Sequence, residues 1–72
     1  MPDDDLRAET EDLVRTLRGY GSLTKQRLIE LSGAERWREH TFDAALHHGV
    51  AEGRIKKLSD ELFELSEAEL RR

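Results

Sequence analysis

Apolar residues along the chain recur first at helical spacing and then, past residue 54, at alternate positions. Leu6, Leu13, Val14 and Leu17 lie on one helical stripe, with acids ahead of them that suit a helix N-terminus, so a helix is expected over residues 5–18. Gly19 is the expected stop and "GYGS" the turn. Thr24 reads as the N-cap of a second helix over residues 25–32, because Leu23 and Leu28 occupy the two positions of a hydrophobic staple. Gly33 ends it. At 100° per residue, Phe42, Ala45, Leu46 and Gly49 share one arc of a third helix. His40, Asp43, Ala44, His47, His48 and Ala51 take the opposite arc. Trp37 would fall on the polar side of that wheel, so the helix is expected to begin near residues 38–40, with Trp37 packed in the turn before it. The alternative is one longer helix from about residue 35 with an exposed tryptophan. Gly53 closes the helix in either case.

"RIKKL" and "ELFEL" then flank Ser59-Asp60 as the strands of a β-hairpin. Ile55, Phe63 and Leu65 form its inward set, and Leu58 and Leu62 are expected to face each other across it. In "SEAELRR", Ser66 and Glu69 have capping-box spacing, but barely two turns follow, which makes a stub of helix. The expected class is mainly α with a small β-hairpin: three helices and a two-stranded wing in one domain over residues 5–70, behind an acidic tail at residues 1–4.

Composition narrows the chemistry. Seventy-two residues allow one domain, and with no cysteine there is neither a disulfide framework nor a thiolate metal cluster. No apolar run approaches the roughly 18 residues of a membrane span, and "MPDDDLRAET" is acidic where a secretory signal is basic, so a cytoplasmic location is the expectation. The net charge of −4 argues against a nucleic-acid partner as an average, but the average conceals a pattern. Residues 1–22 hold six acids and three bases, and residues 59–72 five acids and two bases. Residues 23–58 hold seven bases against five acids and all three histidines, so an anion would favour only the middle.

The order helix, short helix, longer helix, hairpin resembles that of winged helix-turn-helix domains. The residues carrying the resemblance are "LTKQRLIELSG" and "TFDAALHHGVAEGRIKK", with "LFELSEAEL" similar to a second wing strand running into a carboxy-terminal helix. The glycine pattern leading into the hairpin is also similar to that of linker-histone globular domains. What the resemblance implies is binding to double-stranded DNA, the third helix in the major groove and the wing on the backbone. The role is that of a small transcription regulator or architectural factor. One departure stands out: family wings are often glycine-rich and basic at the tip, whereas this tip is "SDE".

The residues themselves offer matching chemistry. Lys25, Gln26 and Arg27 begin the second helix, Arg36 and Arg38 lie in the turn, and Arg54, Lys56 and Lys57 enter the hairpin. Bases there can neutralise phosphates, while His40, Thr41, His47 and His48 can read base edges. Asp43 would repel backbone yet could accept from a cytosine amine. Lys56-Lys57 can also serve simply as a charged edge that discourages strand pairing. His40, Asp43 and His47 share a face, but His40 and His47 stand two turns, about 10 Å, apart, so no closed metal site forms. No cofactor or small-molecule substrate is indicated, and no serine or threonine sits beside an oriented base, so an enzyme is not expected. The competing reading is a protein–protein module that docks through its acidic ends or the Leu58/Leu62 face of the hairpin, with the first helix and the stub after Ser66 as the candidate elements of a homodimer.

Overall fold

A computed structural model describes residues 6–38 and 40–71. The acidic tail at residues 1–4 and the expected helix start at Asp5 lie outside them. Helix α1 (Leu6–Tyr20) buries Thr10, Leu13, Val14 and Leu17, one stripe at spacings of three and four. It continues through the expected stop at Gly19 to Tyr20, two residues past the expected end at residue 18. The residue that ends it is Gly21, whose φ of 84° places it in the left-handed region while its N–H donates to the Leu17 carbonyl at 2.8 Å. Gly19 stays helical because nothing there demands a positive φ.

Strand β1 (Leu23–Thr24) leads directly into α2 (Lys25–Ser32), whose bounds match the sequence reading. Thr24 is the N-cap, its hydroxyl accepting from the Arg27 N–H, and Gly33 closes the helix at φ 81°. A single 3-10 turn (Ala34–Arg36) buries Ala34, and Trp37 packs half-buried against the core before α3. Helix α3 (Thr41–Ala51) buries Phe42, Ala45, Leu46 and Gly49, the arc the periodicity selects. It begins at Thr41, one residue past the expected window, and Trp37 is half-buried rather than exposed.

The chain then forms β2 (Ile55–Ser59), β3 (Leu62–Leu65) and α4 (Glu67–Leu70). The expected two-stranded ribbon is a three-stranded antiparallel sheet in the order β1-β3-β2, because Leu23 pairs with Phe63 and Thr24 with Leu62. A two-residue strand has no period to read, and the sequence signal at Leu23-Thr24 was already explained by the cap and staple. Leu58 and Leu62 do not face each other. The register shifts between Lys57 and Ser59, Ser59 stands opposite Leu62, and Leu58 is left 41% exposed. Ile55, Phe63 and Leu65 point inward as expected and join the stripes of α1, α2 and α3 in one core. The whole is mainly helical with a small antiparallel sheet, and α1 packs chiefly on α3.

Candidate nucleic-acid interface

The start of α2, the outward side of α3 and the hairpin converge on one face. The tip of the hairpin is fastened there, since the Lys25 N–H donates to the Glu61 carbonyl at 2.7 Å. That bond satisfies one of the orphan donors of α2 and stops the hairpin from projecting as a free wing. Lys25 Nζ meets Asp43 Oδ1 at 3.2 Å, so the lysine at the head of α2 neutralises the acid on the α3 surface. Gln26 and Arg27 are exposed, and Arg27 bonds Glu30 one turn on at 3.4 Å.

Before α3, Arg36 and Arg38 are exposed and form no ion pair among the described residues. His40 takes a left-handed φ of 77° at the N-cap without a capping side-chain bond, and its carbonyl accepts from the Ala44 N–H at 3.0 Å. Thr41 is half-buried and His47 exposed, while His48 lies 3.3 Å from Glu52 on the last turn. The outward side of α3 thus carries hydroxyl, imidazole, carboxylate and the small Ala44, with no lysine or arginine.

On β2 alternate residues part company. Lys56 stands opposite Glu64 and faces outward; Lys57 stands opposite Phe63, shares the inward parity of Ile55, and meets Asp60 at 3.6 Å. Arg54 is where the structure departs from the sequence reading. Expected on a phosphate, it turns inward, 19% exposed, with Nε 2.9 Å and Nη2 3.3 Å from the two oxygens of Glu69 and Nη1 on Glu11. Glu69, 4% exposed, also accepts from Arg18 at 2.8 Å. The hydrogen bonds that Arg54 donates to Glu69 and then to Glu11 raise its pKa further, and the bond Glu11 accepts from Arg54 lowers that of Glu11. Sequence reasoning missed this cluster because its members lie 43 and 15 residues apart, beyond any local pairing rule.

Between α3 and the hairpin runs a groove of about 330 Å³. Leu46, Val50 and Phe63 form its apolar floor, and Lys25, Asp43, His47, Lys57 and Asp60 its rim. Among the described residues no cluster of histidines and acids has the makings of a metal site, and no helix is long and apolar enough to cross a membrane. No protein-family model matches the chain, and no curated protein or solved structure is recognisably similar to it.

Proposed function

We propose that the chain is a winged-helix DNA-binding protein, a small transcription regulator or architectural factor. The observation that carries the reading is the strand order: β1, inserted between α1 and α2, pairs with the second strand of a hairpin that follows α3. That arrangement holds α3 on the outside of the core with the hairpin beside it, as insertion of a helix into a major groove requires. Thr41, His47 and His48 then face base edges, Ala44 suits a thymine methyl, and Gln26, Arg27, Arg36, Arg38 and Lys56 reach phosphates. His40 lies at the entrance of the helix. Arg54 has no place in this interface, because its guanidinium is committed to Glu69 and Glu11.

The longest dimension, 29 Å, corresponds to eight or nine base pairs at roughly 3.4 Å each, so a duplex of about 20 pairs is an adequate probe. With about four to six phosphate contacts, log affinity falls against log salt with a slope of roughly −4 to −5. Anisotropy titrations on a labelled mixed-sequence duplex test this. Absence of binding at about 50 mM salt, where the electrostatic contribution is greatest, overturns the proposal.

One observation favours a second reading, a protein-docking module: Leu58 is exposed on the hairpin while Lys25 and Lys57 are already paired with acids. In that case Leu58→Asp abolishes capture of a protein partner, and charge reversal at Lys56 and Lys57 does little.

A further inference from the structure

Resting on that reading, we infer that the groove between α3 and the hairpin seats one backbone phosphate of bound DNA. Lys25 and Lys57 are its cationic walls, and Asp43 and Asp60 occupy those lysines in the free protein in the phosphate's stead. Both lysines line the same groove as His47, one from the head of α2 and one from β2. Lys57 is directed there by register, because it shares the parity of Ile55 and stands opposite the buried Phe63. Lys56, its neighbour in sequence, faces away.

The two acids sit farther out than the bases they meet. Asp43 and Asp60 are 64% and 97% exposed, against 38% and 53% for Lys25 and Lys57. The lysine is therefore the more sheltered member of each pair and the aspartate the more solvated. Exposed pairs of this kind are weak and screened by salt, so an incoming phosphate that also releases condensed counterions can displace them. Both lysines border the apolar floor of Leu46, Val50 and Phe63, a surface along which aliphatic stems can lie while the ammonium groups stay in water. An acidic hairpin tip is then compatible with DNA binding, because its aspartate is a competitor that leaves when the backbone arrives. Free protein and complex differ by exchange of anions on the same two cations.

The test is a pair of double-mutant cycles in duplex affinity at about 100 mM salt, with thermal melts confirming that each exposed-site variant is folded. Asp60→Asn and Asp43→Asn should each tighten binding by roughly 1.5-fold to fivefold, the size of an exposed ion pair. Lys57→Gln and Lys25→Gln should weaken it and reduce the salt slope by about 0.9 each. The decisive outcome is the coupling: the gain from Asp60→Asn should vanish in the Lys57→Gln background, and that from Asp43→Asn in the Lys25→Gln background. Equal gains in both backgrounds mean that the acids act only by bulk repulsion, and overturn the inference while leaving DNA binding intact. Loss of duplex binding by the unmutated protein overturns the reading beneath it. Capture of a polyglutamate peptide that depends on Lys25 and Lys57, without duplex binding, replaces the phosphate with an acidic protein as occupant.

Discussion

Gly49 is a residue at which α3 lies closely against β2. A Cβ there would lie 2.6 Å from Ile55 Cδ1, 3.1 Å from Ile55 Cγ1 and 3.5 Å from Thr10 Cγ2. A glycine inside a helix costs about 1 kcal/mol relative to alanine, so its retention in mid-helix is explained by this approach rather than by the helix. Gly49→Ala recovers that propensity but overpacks a core, at about 1–3 kcal/mol. The expected net effect is a destabilisation of about 1 kcal/mol in urea unfolding. Ile55→Val removes the Cδ1 in question, so alanine should cost less in that background, with a coupling on the order of 1 kcal/mol. An unchanged cost would mean that the end of Ile55 swings aside freely. Periodicity placed Gly49 on the buried arc, but which side chain it makes room for follows only from the fold. Arg54 shows the same limit: nothing local separates it from Lys56, which has the same parity and remains outside.

At the scale of elements, the legible parts are those whose signal is contained within one turn of chain. The Thr24 cap, the Gly33 stop and the buried arc of α3 are of this kind. Strand β1 and the shift of register after Lys57 are not, because both are decided by a partner strand some 40 residues away or by the turn itself. Helix α4 shows the boundary within a single motif. Ser66 caps it as its spacing predicts, accepting from the Glu69 N–H, but the reciprocal half of the capping box does not form. The Ser66 N–H donates to the Arg54 carbonyl, and the Glu69 carboxylate turns to Arg18 and Arg54. Four residues do not hold a helix alone, so these tertiary bonds must hold it. Ser66→Ala should cost about 1 kcal/mol, the usual loss of a cap. Glu69→Gln should cost more, about 2–3 kcal/mol, since it weakens charge-assisted bonds to two arginines. Amide exchange should show protection at Leu70 falling before that of α1 in both variants. Equal, global loss would mean that α4 unfolds only with the whole domain.

Across the whole molecule the charges are sorted by what they face. Arg18 and Arg54 bind the acids of α1 and α4 on one side, whereas Lys25 and Lys57 meet theirs at the rim of the groove. The sequence shows the basic middle and acidic ends but cannot show that Glu11 and Glu69 serve an internal arginine, leaving the net charge a poor guide to any one face. This arrangement sets the response to acid. Glu11 holds its proton less tightly when folded than at its ordinary value of 4.5, chiefly because the Arg54 guanidinium donates to it. As pH falls past about 4.5 the unfolded chain therefore takes up protons at this site before the folded one does. The stabilisation is complete above that value and is lost as pH drops through the lowered one, while Arg54 stays charged throughout. Glu11→Gln lacks this contribution at every pH. Its stability deficit in urea unfolding should be full at pH 6 and shrink steadily from about pH 4.5 to pH 3. Half of the Glu11 side chain is exposed, so the deficit should also be smaller in strong salt. A deficit that stayed constant from pH 6 to pH 3 would mean that the Glu11–Arg54 bond does not contribute in solution, and that Glu69 alone holds the arginine.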